Sequence, residues 1–137
     1  MIAVQVIAVG RLKEAWMRDG CAEYVKRLGL WSRASVVEVD EYRLGENPSP
    51  AQIRVCVEKE GERILERIPK GARVVAMCIE GKTLSSEGLV DYLARAAASG
   101  AGSLAFVIGG SHGLSDAVKD AASLRLSRSP MTFPHQL

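Results

Sequence analysis

Charge of one sign, paired cysteines and long apolar runs are all scarce in this 137-residue chain. Eighteen Lys and Arg stand against sixteen Asp and Glu, a net charge of +2. That is too small to demonstrate a surface for polyanions and does not exclude one. Cys21, Cys56 and Cys78 are odd in number and far apart, with no C-x-x-C pair. Such spacing argues against a disulfide frame or a zinc site and for reduced thiols in a cytoplasmic protein. Residues 1–9 are apolar but much too short to span a bilayer, and they carry no basic leader or small-residue cleavage pattern. No linker, repeat, low-complexity segment or metal-ligand cluster is present. What is there is enough apolar residues, 47% of the chain, to bury one core over the length of one domain.

Taken in order, residues 1–9 (MIAVQVIAV) are β-branched and almost continuously hydrophobic, as a strand covered on both faces is. From 13 to 28 the apolar positions Trp16, Met17, Cys21, Tyr24, Val25 and Leu28 recur at helical spacing, with Gly20 a weak point. Lys13, Arg18, Lys26 and Arg27 lie off that stripe and read as a solvated face rather than an RNA-facing patch. A second strand, 35–39, runs into a long polar loop, 40–48, of a length that is often functional. Ser49-Pro50-Ala51-Gln52 is a helix start with a capping box, and that helix runs toward Pro69. The third strand, 73–79, ends in Glu80-Gly81-Lys82. Ser85 caps a helix closed by Gly100, and a short fifth strand, 124–127, precedes the end of the chain.

The fourth strand organises the rest. Five apolar residues, 104–108, run into Gly109-Gly110-Ser111-His112-Gly113, and Ser115 then caps a helix with Asp116 in its first turn. A strand that ends in glycines and feeds a helix brings backbone N–H groups to a ligand at the carboxyl edge of a parallel sheet; it also describes a plain reversal of the chain. The dinucleotide fingerprint G-x-G-x-x-G is absent. The nucleophile elbow G-x-S-x-G fits around Ser111, but Asp116 and Asp120 sit on the following helix, badly placed to orient His135. His112 cannot readily turn back on its neighbour. The alternation of strands and helices predicts a three-layer α/β/α domain around a largely parallel five-stranded sheet. Three turns then collect at carboxyl strand ends, at 80–82, 109–113 and 127–133, the edge where open α/β sheets bind ligands.

Ile79-Glu80-Gly81-Lys82, Val107-Ile108-Gly109-Gly110 with Gly113-Leu114-Ser115, and the segment from Ser127 to Leu137 (SRSPMTFPHQL) together resemble the RlmH family of ribosomal RNA methyltransferases. Ile7-Ala8-Val9-Gly10 and Glu58-Lys59-Glu60-Gly61 are similar to that family as well, so the resemblance covers the whole chain in order. It implies a SPOUT-type α/β fold with a C-terminal trefoil knot, and a homodimer without metal or membrane. The implied reaction is S-adenosylmethionine-dependent methylation of N3 of a pseudouridine in 23S rRNA of the ribosome. Position by position, the resemblance puts Met77, Gly109, Arg128, Ser129, Pro130, Met131, Thr132 and Phe133 around the cofactor, and His135 at substrate. It assigns no catalytic base.

The family's chain continues past Pro-His-Gln-Leu into a helix and a polar tail, whereas this sequence stops at Leu137. The resemblance therefore implies one SPOUT-type domain over residues 1–137 without the family's tail, an incomplete knot, and poor turnover by this chain. Two rival readings stand beside it: a ribosome-associated binding module that kept the fold and lost catalysis, and a small serine hydrolase using Ser111.

Overall fold

The computed structural model describes residues 2–137, and Met1, at the head of the expected first strand, lies outside them. Nine elements alternate: β1 (Ala3–Val9), α1 (Ala15–Leu28), β2 (Arg33–Val39), α2 (Pro50–Arg67), β3 (Arg73–Thr83), α3 (Ser86–Ala98), β4 (Ser103–Ile108), α4 (Asp116–Ala121) and β5 (Leu124–Ser127). The five strands form one parallel sheet in the order β2-β1-β4-β3-β5. The expected three-layer α/β architecture is thus present.

Helix starts follow the local chemistry. Ser49 accepts a bond from Gln52 N at 3.2 Å while Gln52 Oε1 accepts from Ser49 N at 2.7 Å, so the capping box closes as read. Ser85 and Ser115 accept from Gly88 N and Val118 N. α1 begins two residues later than its apolar spacing suggests, because the Arg18 guanidinium holds the carbonyls of Leu12 and Lys13 at 3.0 and 2.7 Å. Those carbonyls are bound sideways instead of entering the helix.

Sheet order decides which helix covers which face. β1 to β2 and β3 to β4 step one way across the sheet, β2 to β3 and β4 to β5 the other. Right-handed crossovers then place α1 with α3 on one face and α2 with α4 on the opposite one. On the α2/α4 face the strand residues Ile7, Val9, Val39, Val74, Ala76, Ala105 and Val107 join Ile64 and Val118 in a single buried core. Gly61 lets α2 and α4 meet: a Cβ there would sit 2.9 Å from Ser115 Cβ.

β3 departs from expectation. It runs to Thr83 rather than Ile79, and its register with β5 slips, since Leu126 is the partner of both Met77 and Lys82. The residues between them, 78–81, bulge out around the last strand. Glu80 and Gly81 interrupt the apolar run there, which conceals the extension from a reading of strand periodicity.

Candidate functional site

At the carboxyl edge, on the α1/α3 face, lies a cleft of about 1520 Å³. Strand ends supply its floor: Val6, Ala8, Val36, Met77, Ile108 and Leu126. Gly109, Gly110, Ser111 and Gly113 form one wall, and the 127–137 segment another. Of the residues assigned to cofactor by resemblance, Met77, Gly109, Arg128, Ser129, Met131, Thr132 and Phe133 all line this cleft, and His135 joins them. Pro130 does not line it. Gly10, Cys78, Ile79, Ile108, Leu114 and Leu126 line it too, though the resemblance assigned none of them to the cofactor. The available signal for most of these is simply that they end strands or follow them.

The wall beyond β5 is held by its own short bonds. Ser127 Oγ donates to Ser129 O at 2.9 Å, and Met131 N donates to Ser129 Oγ at 3.1 Å. The Arg128 guanidinium stands 5.3 Å from the Phe133 ring centroid, within cation–π reach. Met131 and Phe133 nevertheless keep 70% and 45% of their surface exposed. His135 Nε2 lies 3.5 Å from the point a Cβ on Gly10 would occupy, so its ring covers the end of β1. The segment around it is a turn closed by Leu137 N donating to Pro134 O at 3.0 Å.

The glycines are needed for reasons other than a ligand's approach. A Cβ at Gly109 would meet the Gly113 carbonyl carbon and oxygen, both at 2.7 Å. The turn folds back on itself, with Gly113 N donating to Gly110 O at 3.1 Å and Gly113 at φ +84°. At Gly110 a Cβ would lie 3.1 Å from Glu60 Oε1 and 3.2 Å from Val9 Cγ1.

Electrostatics here are mild. Glu80 pairs with Lys119 on the cleft rim, and the bond from that ammonium lowers the pKa of its carboxyl below the usual range. Burial, reinforced by Glu80, raises the pKa of the Cys78 thiol. Burial also raises that of Cys56, with the Glu60 carboxylate adding to it. Both thiols are kept in the protonated, unreactive form. The elbow at Ser111 gains no support: Asp120 on α4 is bonded to Arg125 at 3.1 Å, and the His135 ring lies over Gly10. Of the α1 cations, Arg27 is paired with Glu23 at 3.0 Å on the outer surface, as a solvated face requires. Arg18 instead borders the cleft, and Lys13 a neighbouring pocket. No group of three or more His, Cys, Asp or Glu among the described residues is arranged to hold a metal, and no helix is long and apolar enough to cross a membrane.

A parallel sheet whose carboxyl-edge cleft is walled by a glycine turn and a returning segment places the chain in the class of α/β domains that take small ligands at that edge. Residues 2–137 match the family described as "Predicted SPOUT methyltransferase". The chain is 48% identical over 137 residues to the "Ribosomal RNA large subunit methyltransferase H" of Pelotomaculum thermopropionicum, covering all of this chain and 86% of that protein. Proteins of the same name from Carboxydothermus hydrogenoformans and Bacillus pumilus are 44% and 45% identical over 134 residues, 98% of this chain and 84% of theirs. The chain belongs to the SPOUT methyltransferase family. It is a methyltransferase, and its methyl donor is S-adenosylmethionine.

The residues present fit that donor. Backbone groups and uncovered apolar side chains suit an adenosyl group, and the charged groups of the lining include Arg18, Glu80, Lys119 and Arg128. Exposed Met131 and Phe133 would be covered by it. The cleft exceeds the usual ligand-pocket volume of roughly 300–1,000 Å³, so the donor would fill only part of it, leaving the side toward α1 open.

Proposed function

We propose that this chain methylates N3 of a pseudouridine in 23S rRNA within the ribosome, acting in the cytoplasm as a homodimer. The observation that carries this reading is the convergence of Met77, the Gly109 turn and the 128–133 segment on one cleft, in a chain nearly half identical to a named ribosomal RNA methyltransferase.

Met77, Ile108 and Leu126 supply apolar support at the strand ends, while Gly109 and residues 128–133 offer backbone groups to the adenosyl moiety. When bound, S-adenosylmethionine supplies a methyl group on a sulfonium that is already a good leaving group. The protein's own work is then to align donor with acceptor and to exclude water. The proton on N3 must leave during transfer. His135, over the end of β1 on the cleft rim, would contact the incoming nucleotide.

The dimer is supported by α1. It has no buried residue, Tyr24 and Leu28 are exposed beside the open half of the cleft, and Trp16 is exposed on the same helix. An apolar surface of that kind marks an interaction site, and a second copy would cover it.

The test is transfer of labelled methyl from S-adenosylmethionine to intact ribosomes, with the modified nucleotide mapped by mass spectrometry. Label at N3 of a pseudouridine in the large-subunit RNA is the expected result. Cofactor binding by calorimetry with no transfer would favour the binding module. Ser111→Ala should leave transfer within about twofold, and covalent capture of Ser111 by a fluorophosphonate would revive the hydrolase.

A further inference from the structure

On the other side of the glycine turn is a second, more polar pocket of about 370 Å³, lined by Lys13, Glu41, Tyr42, Arg43, Leu44, Cys56, Glu60, Ser111 and His112. Its volume falls within the range of small-ligand sites. Three features show that it is built.

First, a charged side chain sits in its wall almost wholly out of solvent: Glu60 is 4% exposed. Burying a carboxylate is costly unless its oxygens are used. Tyr42 N donates to Oε2 at 2.9 Å and the Cys56 thiol lies beside the carboxylate, while Oε1 faces Gly110 with no N–H from the described residues on it. Second, the backbone makes room for that oxygen, because any side chain at Gly110 would press on it at 3.1 Å. Third, Lys13 and Arg43 stand exposed in the lining, and neither takes part in an ion pair among the described residues. His112 and the Tyr42 ring complete the enclosure. An anion alone does not fit, since Glu60 and Glu41 would repel it. A ligand with N–H donors at its inner end and negative charge at its outer end does fit. A nucleotide whose base carries an exocyclic amine has both.

We propose that this pocket is a second RNA subsite, which takes an amine-bearing nucleotide of the substrate near the one that is methylated. Glu60 Oε1 accepts from the base amine, as carboxylates accept from base amino groups. Lys13 and Arg43 meet the phosphates, which position the strand without reading sequence. Ser111 borders both pockets, so the glycine turn separates a donor side from a strand-holding side. The subsite rests on the RNA-methyltransferase reading and extends it.

The variants to compare are Lys13→Ala, Arg43→Ala, Glu60→Gln and, as a control, Lys70→Ala, which lies ahead of β3 at the opposite edge of the sheet. Glu60→Gln is the decisive one. Its amide oxygen can still serve Tyr42 N, which turns the amide NH₂ into the pocket and sets donor against donor. Methyl transfer to intact ribosomes gives kcat and KM, and S-adenosylmethionine affinity by calorimetry reports that each variant is folded. The first three variants should raise the KM for ribosomes about tenfold, with kcat and cofactor affinity within twofold of the parent. Lys70→Ala should change neither constant. Diffuse electrostatic attraction predicts the reverse for Glu60→Gln, since removing a negative charge strengthens RNA binding. An unchanged or lowered KM in Glu60→Gln overturns the subsite, as does a KM for Lys70→Ala raised as much as for Lys13→Ala. A parent that transfers no methyl to ribosomes would remove the RNA reading itself, and the subsite with it.

Discussion

The two faces of the sheet are finished to different degrees. Against α2 and α4, Ile7, Val74, Ala76, Ala105, Val107, Ile64 and Val118 are each at most 5% exposed. Across the carboxyl half of the other face, Val36 and Ile79 are about half exposed, and α1 has no buried residue at all. Close packing on one face fixes the fold, because vacated volume there has no replacement contacts. The bare half leaves apolar surface uncovered, which the donor and the proposed second copy would use. Stability and function are therefore drawn from opposite sides of the same strands, and alternate residues along β1 serve one or the other.

Ile64→Ala should produce the largest change. It empties volume in the closed face and should cost about 2–5 kcal/mol in urea unfolding. Leu28→Ala, on the open face, should fall within about 0.5 kcal/mol under monomeric conditions. Equal losses at the two positions would abolish the contrast. Gly61→Ala comes next. Helix propensity alone favours alanine by roughly 1 kcal/mol, yet the added methyl meets Ser115. A net loss of about 1–3 kcal/mol is expected, as for other overpacked sites. A stabilised variant would show that α2 and α4 can separate freely.

Phe133→Ala is the matching change on the open face. It should leave urea unfolding nearly untouched and weaken S-adenosylmethionine binding by about 1–2 kcal/mol, the apolar area it would cover, measured by calorimetry. The smallest effect belongs to Glu80, whose pairing with Lys119 is more than half exposed on the carboxylate side and so contributes little. Its folded pKa is lowered from 4.5. The stabilisation is thus complete above that value and lost as pH falls through the lower, folded one. Thermal melts of parent and Glu80→Gln should differ slightly at neutral pH and converge in acid; a gap that widens in acid would contradict the assignment.

Much of this was legible beforehand because local chemistry and tertiary structure agree. Ser49, Ser85 and Ser115 cap where their spacing says, and the apolar runs of β1 and β4 are two of the three strands with neighbours on both sides. The late part of β3 was not legible, since 78–81 bulge out of the ladder and only Lys82 and Thr83 pair with β5, through tertiary contact. Gly109 and Gly110 were legible as a turn, but their necessity comes from Gly113 and Glu60, residues distant or opaque in a linear reading. Glu60 itself looks like any acidic residue on a polar helix. Only the empty space beside Gly110 reveals where its carboxylate goes. The residues gathered around the cofactor rest on resemblance in the sequence and on shared lining in the structure, and binding measurements are what will rank them.

The strand order also has a consequence in the time course of synthesis. β1 and β2 leave the ribosome first, yet β1's other neighbour is β4, about a hundred residues later in the chain. Until then the apolar edge of β1 is an unpaired template, and such edges recruit other chains. His135, which covers the end of β1, arrives later still. A nascent chain of this protein therefore carries its most association-prone strand uncovered through most of its translation, and should engage chaperones until β4 emerges and closes the gap.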